Sequence, residues 1–197
     1  MQGTPRDTGW IEVICGPMFS GKTEELIRRL RRAAYARQKI EIFKPKIDTR
    51  YGELEIVSHS RQSLVAHPVQ TAEQILELVA PDVQVVGIDE GQFLGRGLVE
   101  VCQRLADRGV RVVVAGLDQD FRGVPFEPMP ELLAVAEFVT KALAICVVCG
   151  NPAGRSQRVT RGGDRVLIGA ADAYEARCRR CHTVGEEPPP EQPRLFK

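Results

Sequence analysis

Apolar and polar positions along this chain recur with two periods, one near two residues and one near three and a half. Trp10–Cys15 (W-I-E-V-I-C) is a short, β-branched apolar run halted by Gly16-Pro17, which predicts a strand. Over residues 22–37 the spacing turns helical, with Leu26, Leu30 and Ala33/Ala34 on one face and arginines elsewhere. Lys39–Lys44 alternates as a strand, and Thr71-Ala-Glu-Gln74 is a capping box that opens a helix to about Val79. Val83–Ile88 is again strand-like and ends at Asp89-Glu90. Residues 97–108 form a helical pattern closed by Gly109, and Val110–Ala115 is a further strand. Strands and helices alternating at this spacing predict an α/β fold built on a parallel sheet with right-handed crossovers.

The texture changes after about residue 140. Long helical patterns stop, and the remaining segment is framed by two pairs of cysteines. Within it, Ser156–Thr160 and Arg165–Ile168 flank Arg161-Gly-Gly-Asp164, which reads as a β-hairpin turn. Residues 1–9 lack apolar periodicity. So do residues 186–197, where Glu186-Glu-Pro-Pro-Pro-Glu-Gln-Pro193 is acidic and proline-rich; both ends read as disordered. The expected organisation is an α/β domain over 10–140 and a small β-rich domain over 141–185 between two loose ends.

Composition agrees and adds exclusions. A chain of 197 residues, 43% hydrophobic, buries a core without disulfides. With 27 Lys+Arg against 26 Asp+Glu the net charge is +1, so nothing global attracts nucleic acid or acidic lipid, and any anion site must be local. No apolar run reaches the roughly 18 residues of a membrane span, and the first residues carry no apolar signal region. The expectation is a cytoplasmic protein with neither a membrane nor a nucleic-acid partner.

The first turn carries chemistry. Gly16-Pro17-Met18-Phe19-Ser20-Gly21-Lys22-Thr23 matches G-x-x-x-x-G-K-[ST], directly after a predicted strand and opening a predicted helix. Backbone N–H groups at a helix N-terminus suit an anion. Lys22 would reach the β- and γ-phosphates of a bound nucleotide, and the Thr23 hydroxyl would bind Mg²⁺.

Two acids complete the pattern. Asp89 and Glu90 stand at the carboxyl end of a buried parallel strand, where α/β sheets place ligands. Adjacent strand residues point to opposite sides, so the pair divides its work. Asp89 is the Mg²⁺ partner, and Glu90 faces the acceptor as general base or water-orienting group. In the polar stretch after the second strand, Arg50 is placed to clamp phosphate oxygens or is simply a solvated loop residue. Met18, Phe93, Leu117, Phe121, Phe126 and Tyr174 lie in post-strand loops or in the cysteine-framed segment. They line a pocket for a flat aromatic substrate or pack beneath the loops.

Cys146-Val-Val-Cys149 and Cys178-Arg-Arg-Cys181 are two C-x-x-C knuckles suited to tetrahedral thiolate binding of structural Zn²⁺. Metal at the base would let residues 150–177 hold a shape without much core of their own. His182 is an alternative fourth ligand, but thiolate softness favours Cys181.

Taken in order, G-P-M-F-S-G-K-T, F-K-P-K-I-D-T-R-Y, D-E-G-Q-F, A-G-L-D-Q-D-F-R-G-V-P-F and the paired cysteines resemble the thymidine kinases of the zinc-bearing type over roughly residues 10–182. The resemblance implies a RecA-like phosphate-loop domain with a zinc-bound lasso. It implies transfer of the γ-phosphate of ATP to the 5′-hydroxyl of thymidine, feedback inhibition by dTTP, and a homotetramer, and it leaves open whether deoxyuridine is also an acceptor. Glu90 matches the catalytic base, and Gly16 through Thr23 with Asp89 through Gln92 match the ATP-binding stretches. Arg50 matches a phosphate-contacting arginine. Phe93, Leu117, Phe121 and Phe126 match residues around the nucleoside, and Tyr174 matches the tyrosine that closes over it. Backbone readout of the thymine edges falls on Val166, Leu167, Ile168 and Gly169, while Ser156 stands where relatives often carry threonine near the base methyl. Two other classes stay open from the residues alone: another phosphate-loop transferase, and a zinc-ribbon nucleic-acid-binding ATPase.

Overall fold

The apolar runs become the middle of a six-stranded sheet in which every pairing is parallel. The computed structural model describes residues 8–47, 55–57, 63–160 and 173–184. In chain order it has β1 (Trp10–Cys15), α1 (Lys22–Tyr35), β2 (Ile40–Pro45), β3 (Glu55–Val57), β4 (Ser63–Val65), β5 (His67–Val69), α2 (Glu73–Leu78) and β6 (Val85–Ile88). A 3₁₀ turn at Gly91–Phe93 leads to α3 (Gly97–Asp107), β7 (Arg111–Gly116), α4 (Met129–Val135) and β8 (Phe138–Lys141). The cysteine-bearing segment holds β9 (Ala144–Ile145), β10 (Pro152–Ala153), β11 (Arg155–Arg158) and β12 (Tyr174–Arg177), paired antiparallel as β9–β10 and β11–β12.

The strand order is β5-β2-β6-β7-β1-β8. Alternate residues of the four inner strands feed two separate cores. Ile14, Ile42, Val85, Val113 and Ala115 meet Leu26, Ile27, Leu30 and Ala33 of α1 on one face. Val13, Phe43, Val86, Ile88, Val112 and Val114 meet Ile75, Leu98, Val101, Leu105, Met129 and Leu132 of α2, α3 and α4 on the other. Burial on both faces is the reason the strands read as near-continuous apolar runs. One polar residue interrupts the middle of β1. Glu12 accepts hydrogen bonds from Trp10 Nε1 (2.7 Å), Arg111 Nε (2.6 Å) and Arg29 Nη1 (2.7 Å), pinning β1 to β7 and α1.

The expected helices and strands of the main sheet recur within a residue or two, and two differences have local causes. Helix α1 stops at Tyr35 because Arg37 turns left-handed (φ 59°) and the N–H of Gln38 returns to the carbonyl of Ala33, a helix-stop geometry. Helix α2 begins at Glu73 rather than behind a Thr71 cap. The Gln74 side chain instead accepts the N–H of Gln70, since β5 runs to Val69 and the turn starts there. In the cysteine-framed segment β11 pairs with β12; the other expected hairpin arm, Arg165–Ile168, lies outside the described residues. Strands β5 and β8 and helix α4 are too short to have shown a period. Among the described residues no helix is long and apolar enough to cross a membrane.

Candidate active site

Parallel strands deliver all their carboxyl ends to one edge of the sheet. At that edge β1 runs into the phosphate-loop motif, β6 into Asp89-Glu90, β7 into Leu117 and β8 into Ala142. Gly16 takes φ 146°, and a Cβ there would lie 2.2 Å from the carbonyl oxygen of Ala142, so only glycine lets the loop pass the end of β8. Beyond it Pro17 turns the chain, and Phe19 (φ 65°) and Gly21 (φ 77°) curl it into α1. The carbonyl of Pro17 accepts both Ser20 Oγ (2.8 Å) and Lys22 Nζ (2.7 Å), so the buried lysine lies across its own loop. The N–H of Met18 points away from the loop, to Ser156 Oγ of β11 at 2.9 Å.

Strand β7 intervenes between β1 and β6, yet the register brings the loop and the acids together. Thr23 Oγ1 donates to Asp89 Oδ2 at 3.0 Å. A hydroxyl beside a carboxylate is a set of hard oxygen donors, which fits Mg²⁺. The next residue turns the other way. Glu90 is buried in the left-handed region (φ 51°), an unusual place for a long side chain and one that marks functional turns. Its Oε2 accepts Gln92 Nε2 at 2.6 Å, and Gln92 Oε1 accepts the N–H of Leu117 at 2.9 Å.

Leu117 opens a loop tightly clipped upon itself. Asp120 Oδ1 accepts the N–H groups of Arg122 and Val124, and the carbonyl of Asp118 accepts that of Phe126. Phe126 meets Phe93 edge to face, with centroids 5.9 Å apart and planes at 88°. Phe121 carries the guanidinium of Arg158 4.4 Å above its ring, and Arg158 Nη2 donates to Tyr174 Oη at 3.0 Å. Three further contacts tie this loop to the cysteine-framed segment. Arg155 donates to Gln119 Oε1 and the Gly123 carbonyl, and His182 Nε2 lies 2.8 Å from the Phe121 carbonyl. A carbonyl only accepts, so Nε2 carries the proton; burial holds His182 below its ordinary pKa against that bond.

The four sulfur atoms of Cys146, Cys149, Cys178 and Cys181 lie within 4.8 Å of one another. Cys149 is 3.6 Å from both Cys178 and Cys181, close to the roughly 3.8 Å edge of a tetrahedron with Zn–S bonds of about 2.3 Å. Burial and the neighbouring sulfurs of Cys149, Cys178 and Cys146 push the Cys181 thiol up to about 12. Against burial, hydrogen bonds from backbone N–H groups, joined at Cys149 and Cys178 by neighbouring thiols, hold Cys146, Cys149 and Cys178 below their ordinary value. The donor set fits structural zinc, and His182 turns to Phe121 instead.

Met18 and Ser156, Phe93 and Phe126, Phe121 and Tyr174, and Leu117 beside Gln92 and Glu90 are thus brought to one edge. Arg50, Val166, Leu167, Ile168 and Gly169 lie outside the described residues. Three further buried charged residues lie at or beside this edge. Arg158 is 5% exposed in β11, buried together with Ser156 and Gln157, and nothing in the local sequence sets it apart from the neighbouring arginines. Asp118, buried, takes Lys141 Nζ at 2.7 Å across the end of β1. Lys44, 1% exposed at the end of β2, lies one step beyond the Phe43–Ile88 register pair, beside Asp89.

Comparison with known proteins adds independent findings. Residues 9–182 match the family model described as "Thymidine kinase". The chain is 64% identical over 173 residues to a protein named thymidine kinase from Rhodothermus sp., covering 88% of this chain and 81% of that one. It is 60% identical over 172 residues to a thymidine kinase from Bdellovibrio bacteriovorus, covering 87% of this chain and 84% of that one.

Proposed function

The chain belongs to the thymidine kinase family, and on that premise we propose how its residues divide the reaction. It is an enzyme, a kinase that phosphorylates thymidine with ATP as donor. Glu90 is the base: its carboxylate takes the proton of the 5′-hydroxyl as that oxygen bonds the γ-phosphorus. The bond from γ-phosphorus to the β,γ-bridging oxygen breaks, and its electron pair leaves with ADP. Lys22 and the loop from Gly16 through Thr23 hold the phosphates with Arg50, and Thr23 and Asp89 would hold Mg²⁺, which would supply neutralising charge for the transferring group. Most of the rate enhancement comes from positioning and charge rather than covalent chemistry.

Thymine packs against Met18, Phe93, Leu117, Phe121, Phe126 and Tyr174, with Ser156 near its methyl group. Its polar edge meets the backbone of Val166 through Gly169, a readout that also admits deoxyuridine. Residues 10–140 form the ATP-handling domain, and 141–185 the lasso that zinc closes through its four cysteines. The same reading makes the enzyme a cytoplasmic homotetramer inhibited by dTTP.

The observation that carries this division is the opposed pair at the end of β6: Asp89 turned to Thr23 of the phosphate loop, and Glu90 turned to the loop that opens at Leu117. Glu90→Ala tests it. Phosphorylation of thymidine from radiolabelled ATP should fall by about 10²–10⁴-fold, the usual contribution of a positioned general base, while ATP affinity stays within a few-fold. Turnover at the wild-type rate would remove Glu90 from the role.

A further inference from the structure

Gln92 is 3% exposed, in the 3₁₀ turn that follows Glu90. Its two amide ends have different partners. Nε2 donates to Glu90 Oε2 at 2.6 Å, and Oε1 accepts the N–H of Leu117 at 2.9 Å. A carboxylate only accepts and a backbone N–H only donates, so the two bonds leave one orientation of the amide. The bond to Glu90 is charge-assisted and belongs to the stronger class.

The surroundings are shaped around this side chain. A Cβ on Gly116, the last residue of β7, would stand 2.9 Å from Gln92 Oε1. One on Gly91 would stand 2.7 Å from Val114 Cγ1, so the turn itself is pressed against β7. Gln92 therefore connects the carboxylate at the end of β6 to the first amide of the loop that carries Phe121 and Phe126, with little room for either to shift.

We infer that Gln92 is a positioning residue for the phosphoryl transfer: it holds the Glu90 carboxylate at a set distance from the nucleoside loop, so that base and acceptor hydroxyl arrive in register. The role rests on Glu90 being the base. Glutamine suits it because the same buried side chain must donate at one end and accept at the other without adding charge.

A double-mutant cycle tests this with the full-length, zinc-replete enzyme. The variants are Gln92→Met, Glu90→Ala and the pair, each assayed for thymidine phosphorylation from radiolabelled ATP, for ATP dissociation constant by calorimetry, and for thermal midpoint. Gln92→Met keeps the volume and loses both bonds. It should lower kcat by roughly tenfold to a hundredfold, the cost of misplacing a catalytic group by about an ångström, with the ATP dissociation constant within twofold. In the Glu90→Ala background it should cause no further loss, because it acts only through the residue already removed. Gln92→Glu is the second variant, in case the first folds poorly. It keeps an acceptor for Leu117 but sets a second carboxyl against Glu90, and it should lose kcat as Gln92→Met does. Losses that multiply in the double variant would overturn the role. So would a weakened ATP dissociation constant at unchanged kcat, which would make Gln92 a nucleotide contact, or a lower thermal midpoint at unchanged kcat, which would leave it structural. Wild-type turnover in Glu90→Ala alone would remove the premise, and that result is read independently of Gln92.

Discussion

Replacing Ser156 by alanine should weaken the handling of both substrates at once. Its hydroxyl accepts the N–H of Met18 at 2.9 Å, joining the phosphate loop to β11 across 138 positions of sequence. Ser156 is 5% exposed, and Met18 is half-buried under it. Alanine fills nearly the same space, so the perturbation is the loss of one acceptor and little else. A fully buried donor left unmade costs about 1–3 kcal/mol; half-buried, the Met18 amide falls near the lower end, about 1 kcal/mol. With tenfold for each 1.4 kcal/mol, that is roughly a fivefold change. Because the amide belongs to the loop and the hydroxyl to the strand opposite, the loss should divide between the two sides of the site. The assay is initial-rate kinetics with radiolabelled ATP, varying each substrate at saturation of the other. The expectation is a decrease of about fivefold in kcat/KM shared between ATP and thymidine, with Ser156→Thr restoring the ATP side through its retained hydroxyl. Unchanged constants for both substrates would refute the reasoning. A change for thymidine alone would show that Ser156 shapes the base pocket without steadying the phosphate loop.

Two other consequences follow from buried groups outside the reacting centre. Burial alone would raise the Glu12 carboxyl, but the hydrogen bonds from Arg111 and Trp10, with the charges of Arg111 and Arg29, outweigh it and hold the group below its ordinary value. A depressed carboxyl stabilises the fold above its unfolded pKa and loses that contribution as pH falls through the folded one. Glu12→Gln should therefore lower stability at neutral pH, toward the lower end of the roughly 3–5 kcal/mol for breaking a buried pair, and flatten the decline below about pH 4.5; urea melts from pH 7 to pH 3 with parallel curves for the two proteins would contradict it. Chelation of zinc from Cys146, Cys149, Cys178 and Cys181 should loosen β11, β12 and the loop held by His182 and Arg155, so thymidine binding should fail before ATP binding does; calorimetry showing both affinities intact in the zinc-free enzyme would contradict that order.

The α/β pattern, the phosphate loop and the cysteine knuckles were legible because each is local. Gly16 through Thr23 carries its chemistry within one turn of chain, and C-x-x-C places two sulfurs on one knuckle whatever lies between the pairs. Asp89 and Glu90 were legible for a related reason: the end of a buried parallel strand has a known place in such sheets. What joins these pieces was not local. Periodicity says which face a residue takes, but not which strand lies beside its own, and the insertion of β7 between β1 and β6 is a matter of topology.

Several features therefore belonged to the tertiary structure alone. Thr23 reaches Asp89 across 66 positions, and Met18 reaches Ser156 across 138. Arg158 reads in the sequence like any solvated arginine, yet it is sandwiched between Phe121 and Tyr174. Gln92 read as part of a nucleotide-binding stretch, and only the packed sheet shows its amide spanning Glu90 and Leu117. The sequence by itself determined the elements and the order of the motifs, since those depend on neighbours a few residues apart. The sheet decided which parts meet, since parallel strands far apart in the chain end at one common edge and a hydrogen bond depends on distance in space.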